Sequence, residues 1–119
     1  MIKVLVVDDH ELIRAGIARM LLDDGNIEVV GEASSGEEAL VMLKPSCPDV
    51  VLMDLKMPKL NGTHATRRLT QTYPDIKVLV LTTYDGDEWV FEAIRAGASG
   101  YLLKDTDGVD IVQAICETY

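Results

Sequence analysis

Three carboxylates and one lysine fall where apolar runs of this chain stop. Asp8 and Asp9 follow Ile2-Lys3-Val4-Leu5-Val6-Val7, Asp54 follows Val50-Val51-Leu52-Met53, and Lys104 follows Tyr101-Leu102-Leu103. Thr82 closes a fourth run, Val78-Leu79-Val80-Leu81. If these runs are strands of a parallel sheet, their carboxyl ends line one edge, and ligands bind in the crevice there. Residues far apart in sequence then converge on one pocket.

The charges of such a pocket dictate its ligand. Asp8, Asp9 and Asp54 sum to −3 when ionised. Two like charges ~4 Å apart repel by about 1 kcal/mol in water and about 4 kcal/mol at an effective dielectric of 20. The trio therefore calls for cations. A divalent ion and the ammonium of Lys104 together return the sum to zero. Hard oxygen donors suit Mg²⁺, which keeps several of its waters and so leaves positions for a phosphoryl group.

The elements that must position these groups are readable from periodicity. Short runs rich in Val, Ile and Leu near residues 2–7, 27–33, 49–54, 76–82 and 100–103 read as strands, the continuous ones buried on both faces. Helical patterns alternate with them. Ile13, Ile17, Met20 and Leu21 form one stripe; Ser35-Gly36-Glu37-Glu38 is a capping box opening a second helix that Pro45 closes. Thr63 to Tyr73 reads as a third helix, begun after Asn61-Gly62 and stopped before Pro74. A fourth runs from Asp87 to Arg95 with Val90, Ala93 and Ile94 at core spacing and Gly97 as its stop. A fifth starts near Gly108 with Val112, Ile115 and Cys116 on one face. The alternation predicts an α/β fold with a doubly wound, five-stranded parallel sheet. A strand order of 2-1-3-4-5 sets the first and third strands side by side at the switch point, where Asp9 and Asp54 meet.

Taken together, these motifs resemble a response-regulator receiver domain, the phospho-acceptor half of a two-component system. The residues that carry the likeness are Asp8-Asp9, Asp54-Leu55-Lys56-Met57-Pro58, Asn61-Gly62, Thr82 and Gly100-Tyr101-Leu102-Leu103-Lys104. Asp8-Asp9-His10-Glu11 and Gly97 to Asp105 look most like the NarL/FixJ subfamily. The resemblance spans essentially the whole chain and implies a flavodoxin-like (CheY-like) fold. It implies Asp54 as phospho-acceptor, Mg²⁺ held by Asp9, Asp54 and the Lys56 carbonyl with Asp8 acting through water, and Lys104 and Thr82 on the phosphoryl oxygens. It makes Thr82 and Tyr101 the switch pair, while Lys56 and Tyr84 tune phosphate lifetime. The implied partners are a sensor histidine kinase, a second copy of the chain upon phosphorylation, and DNA through a C-terminal helix-turn-helix domain absent here. Many receivers place a cis proline after the lysine; Asp105 stands there instead, so a cis bond is not expected.

Composition narrows the alternatives. The 119 residues fit one domain, here a receiver over 1–119, and 48% apolar content supports a core. Twenty acidic against eleven basic residues, a net charge of −9, argue against direct nucleic-acid binding. Lys56, Lys59, Arg67 and Arg68 form the densest basic stretch and read as a solvated face. Cys47 and Cys116 lack CxxC spacing and read as free cytosolic thiols. No apolar stretch approaches membrane-spanning length, and the chain runs directly into a strand, so neither membrane span nor signal peptide is expected and the protein is placed in the cytoplasm. The last helix stops at Tyr119 without a cap, which fits a piece of a longer DNA-binding regulator; a free-standing single-domain adaptor is the alternative reading. His10 and His64 read as too isolated for a metal or relay site, and Trp89 as a partly exposed residue.

Rival readings lack their residues. A haloacid-dehalogenase-type phosphatase needs a second aspartate two residues beyond its nucleophile, where Lys56 stands. A nucleotide-binding enzyme needs a Gly-rich phosphate loop after a strand, and none is present. A pseudo-receiver that only binds partners would have a damaged acidic set, whereas this one is complete. The chain thus reads as a signalling protein that assists its own Mg²⁺-dependent phosphorylation and dephosphorylation, rather than as an enzyme acting on others.

Overall fold

A computed structural model describes residues 1–54, 62–82, 88–103 and 108–119. Five strands, β1 (Ile2–Val7), β2 (Ile27–Ala33), β3 (Val50–Asp54), β4 (Lys77–Thr82) and β5 (Gly100–Leu103), alternate with five helices. The helices are α1 (Glu11–Leu22), α2 (Gly36–Ser46), α3 (Gly62–Thr72), α4 (Glu88–Arg95) and α5 (Gly108–Thr118). The sheet order is β2-β1-β3-β4-β5, and every pairing is parallel. This is the flavodoxin-like (CheY-like) arrangement the sequence predicts.

Strand periodicity divides the core in two. Leu5, Val7, Val51, Met53, Val78 and Val80 face one side, where Ala39 and Leu43 of α2, Ala65 and Leu69 of α3 and Ala93 of α4 pack on them. Val4, Val6, Val50, Leu52, Leu79 and Leu81 face the other, against Ile17 and Leu21 of α1 and Ile111 and Ile115 of α5. Successive strand side chains alternate faces, so a continuous apolar run covers both layers at once. β1, β3 and β4 are buried in this way, and the first two carry the acidic groups at their ends.

The helix boundaries follow local chemistry. The Ser35 hydroxyl caps α2 by accepting from the Glu38 N–H at 3.1 Å. The return bond from the Glu38 carboxylate reaches Ser34, both its N–H and its hydroxyl, one residue before the cap. Pro45 lies in the last turn of α2, and the helix runs one residue further before Cys47 adopts a left-handed conformation, φ 47°. The ring has no N–H to give the Val41 carbonyl four residues back, so the last turn is weakened there and the helix stops soon after.

Three helical faces differ from the pattern reading. Ile13 of α1 and Ile94 of α4 are exposed, at 39% and 44%, and Cys116 of α5 is exposed as well. The core contacts come instead from Ile17 and Leu21, from Ala93, and from Ile111 and Ile115. Ile111 and Ile115 are one helical turn apart and define the buried stripe of α5, leaving Val112 half-buried and Cys116 outside. The third helix, predicted from Thr63 to Tyr73, runs from Gly62 to Thr72; Asn61 before it, the predicted start of the fourth helix at Asp87, and the peptide bond between Lys104 and Asp105 lie outside the described residues.

After α4 the chain turns through Gly97 at φ +116°, a conformation that favours glycine. A Cβ there would stand 2.7 Å from Thr70 Oγ1 and 3.0 Å from its Cβ and Cγ2. The same hydroxyl donates to the Ala96 carbonyl at 2.8 Å, tying α3 to the end of α4. Gly97→Ala is expected to destabilise the protein by about 1–3 kcal/mol. Gly25→Ala, with nothing within 4 Å of the added atom, is expected to stay within about 0.5 kcal/mol. Urea unfolding of both variants checks this.

Candidate functional site

Sheet register brings the acidic groups together. Val7 pairs with Met53, so the next residues, Asp8 just past β1 and Asp54 at the end of β3, come side by side. Asp54 pairs with Leu81, and Thr82 ends β4 one step beyond. Thr82 in turn pairs with Leu103, the residue before Lys104. Lys56, Tyr84 and Lys104 lie outside the described residues.

The turn after β1 is held from several directions. The Asp8 N–H donates to the Ala33 carbonyl at the end of β2, at 3.0 Å. Asp8 Oδ1 accepts the His10 N–H at 2.9 Å, an Asx-type turn. The Asp8 carbonyl accepts from Arg14 Nη1 at 2.8 Å, while Arg14 Nε reaches Glu32 Oε1 at 3.3 Å. Arg14 thus projects from the first turns of α1 and ties β1, β2 and the acidic turn together. Pattern reading passed over Arg14, which falls within the α1 stripe and has no motif of its own; its position i+6 from a strand-end Asp was the one available signal.

Asp8 is 1% exposed and Asp54 3%, whereas the Asp9 side chain is 26% exposed. One donor atom from each of Asp8, Asp9, His10 and Asp54 falls within 4.8 Å of the others. Carboxylates this close, two of them buried, repel one another in a medium where burial amplifies the repulsion. A hard, oxygen-rich donor set of this size fits a divalent cation. The site therefore could hold a metal ion, with Asp9 on its solvent side.

His10 is a correction to the sequence reading. It is exposed as expected, 64% at the side chain, but it is not isolated: Nδ1 lies 3.2 Å from Asp9 Oδ1 and 3.4 Å from Asp8 Oδ1. The backbone bond to Asp8 folds residue 10 back over the acidic pair, which linear spacing does not show. Tyr101 lies on β5, the edge strand, with 44% of its surface exposed. Phe91 and Ile94 of the adjacent helix α4 are exposed too. Trp89 belongs to α4, and its side chain lies outside the described residues. Cys47 and Cys116 are free thiols. Among the described residues, no helix is long and apolar enough to cross a membrane.

Residues 4–116 match the model of the response regulator receiver domain, and the chain belongs to that family. Its relatives place it on the NarL/FixJ branch. It is 50% identical over 115 residues to the response regulator GacA of Pseudomonas syringae pv. syringae, covering 97% of this chain and 54% of that protein. It is 45% identical over 119 residues to the response regulator UvrY of Escherichia coli K12, covering 100% and 55%. It is 45% identical over 114 residues to the transcriptional regulatory protein DegU of Brevibacillus brevis, covering 96% and 48%. The chain thus spans about half the length of these relatives. The signal receiver domain of the response regulator NarL from Mycobacterium tuberculosis superposes with a TM-score of 0.90 at 38% identity, covering 98% of this chain and 94% of that one. The response regulator domain of Thermotoga maritima CheB gives 0.92 at 28% identity, covering 99% and 96%.

Arg14→Met keeps the aliphatic stem and removes the charged donor to the Asp8 carbonyl. It is expected to cost about 1.5 kcal/mol or more in urea unfolding. Glu32→Gln, which alters the exposed partner of Arg14 Nε, is expected to cost less than about 0.5 kcal/mol.

Proposed function

We propose that Asp54 is the phospho-acceptor of this receiver and that it takes its phosphoryl group from a phosphohistidine of a sensor histidine kinase. The observation that carries this reading is the burial of Asp54 at the carboxyl end of β3, within reach of Asp8 and Asp9. A carboxylate oxygen of Asp54 attacks the phosphorus; the O–P bond forms, the P–N bond breaks, and the imidazole leaves with the bonding electrons.

Asp9, Asp54 and the Lys56 carbonyl would hold Mg²⁺, with Asp8 acting through a bound water. When bound, the ion supplies positive charge for the phosphoryl oxygens. Lys104 adds a point charge, and the Thr82 hydroxyl donates to a further oxygen. These groups compensate an aspartyl phosphate whose charge is near −2 at neutral pH. The buried, short-tethered Asp8 suits an orienting role, because its carboxylate and carbonyl already hold the turn.

The output follows from movement of Thr82 toward the phosphoryl group. The space it leaves admits the Tyr101 ring, now exposed on β5. That motion changes the face made by α4, β5 and α5, where Phe91 and Ile94 are also exposed, and two copies associate there. Coupling of this kind is worth about 1–3 kcal/mol, enough to shift an association equilibrium. In the whole, cytoplasmic protein a C-terminal helix-turn-helix domain carries the DNA-binding output and so regulates transcription. The naming of DegU as a transcriptional regulatory protein supports this, and the net charge of −9 leaves DNA contact to that other domain.

Incubation with acetyl phosphate and Mg²⁺ is expected to give a phosphoryl adduct by intact mass, absent without Mg²⁺ and absent in Asp54→Asn. An adduct that persists in Asp54→Asn would move the acceptor elsewhere. Sedimentation is expected to show phosphorylation-dependent association in the unsubstituted chain and its loss in Tyr101→Ala; equal association in both would remove Tyr101 from the switch.

A further inference from the structure

The acidic site contains a nitrogen donor as well as oxygens. His10 occupies the N-cap of α1 with φ −87° and ψ 107°, yet its side chain makes no capping hydrogen bond. Side chains at this position ordinarily turn inward to accept from the first helical N–H groups. The His10 ring instead faces the carboxylates, with Nδ1 3.2 Å from Asp9 Oδ1 and 3.4 Å from Asp8 Oδ1. The Asp9 contact is at ion-pair distance without hydrogen-bond geometry. The ring's point of attachment is fixed, because the His10 N–H is itself bound to Asp8 Oδ1.

The spacing is that of ligands around one ion. Two donors ~2.1 Å from an octahedral ion stand about 3.0 Å apart when adjacent and about 4.2 Å apart when opposite. The distance from His10 to Asp9, the direct ligand of the pair, is within a few tenths of an ångström of the adjacent value, and the whole set of four donors spans 4.8 Å or less. His10 is exposed and Asp9 half-buried, so the ring is the group that moves to close the remaining gap.

Donor chemistry then sets selectivity. Mg²⁺ takes oxygen donors, whereas imidazole nitrogen favours first-row transition ions, with affinity rising from Mn²⁺ through Co²⁺ to Ni²⁺ and Cu²⁺. We propose that His10 is a specificity-determining ligand: Co²⁺, Ni²⁺ or Zn²⁺ binds the acidic site through His10 Nδ1 and competes there with Mg²⁺, which uses the carboxylates without the ring. The inference rests on the reading of Asp9 and Asp54 as metal ligands. Its consequence is that the identity of the ion beside the phospho-acceptor depends on which divalent ions are available.

The test is titration of the chain with Co²⁺, followed by its visible ligand-field absorption, and displacement of Co²⁺ by Mg²⁺. His10→Ala is expected to weaken Co²⁺ binding by about tenfold or more, the loss that even outer-shell partners of metal sites can produce. Mg²⁺ affinity is expected to change by less than about twofold. His10→Asn provides a good capping side chain without the imidazole, so it should match His10→Ala in Co²⁺ affinity while any folding loss is repaired. Pulsed electron paramagnetic resonance of the Mn²⁺-loaded chain should show a directly bound nitrogen that disappears in both variants. Unchanged Co²⁺ affinity in His10→Ala, with Mg²⁺ still bound, overturns the role of His10 and leaves the Mg²⁺ reading intact. Loss of Co²⁺ binding in His64→Ala instead places the ion elsewhere and overturns the proposal. Failure of the unsubstituted chain to bind either ion overturns both readings.

Discussion

Repulsion among carboxylates at one sheet edge is the constraint around which this domain is organised. Parallel pairing of β1 with β3 sets Asp8 level with Asp54, and chain direction then brings Asp9 to the same place. Separately, each aspartate is an unremarkable strand terminus. Side by side and largely buried, they form a locally unfavourable arrangement that only the surrounding fold makes durable. The interior of β1 and β3 supplies that durability, since Val4, Leu5, Val6, Val50, Val51, Leu52 and Met53 are fully buried. Large apolar burial offsets a small charged defect.

The defect is also held in shape. Arg14, the Ala33 carbonyl and the His10 N–H each bind a different group of Asp8. These contacts satisfy the backbone of the turn and aim its carboxylates, so the geometry of the site is preorganised. Asp9, by contrast, stays accessible at the rim, beside the His10 ring. One member of the acidic pair is fastened to the scaffold, and the other faces the solvent from which an ion arrives.

The opposite side of the sheet is built for looser packing. β5 is short and lies at the edge, and its Tyr101 is exposed. Among the described side chains of α4, Ala93 meets the core, while Phe91 and Ile94 are exposed. Elements with few buried apolar contacts open at lower free energy than the core strands. The proposed switch therefore uses the part of the fold that can move at small cost, and the acidic site uses the part that cannot.

Strand positions, and with them the acidic edge, were legible because a two-residue period and apolar runs act locally. β2 and β5 begin and end where the runs do, and the Ser35 cap of α2 is a short-range motif. The face each helix presents was less legible. Ile13, Ile94 and Cys116 fit an apolar stripe by spacing, yet all three face outward, while Ile111 lies in the core. Sequence spacing defines a helical stripe only to within a residue or so, and the rotation of each helix is decided by how its ridges settle on the sheet. The same limit hid Arg14 and His10. Their partners are backbone atoms and carboxylates that a turn folds toward them. The sequence by itself determined which groups could do chemistry and that they end neighbouring strands. Only the tertiary structure decided which side chains surround those groups, because turn geometry and helix rotation follow from packing across the whole sheet rather than from any local run of residues.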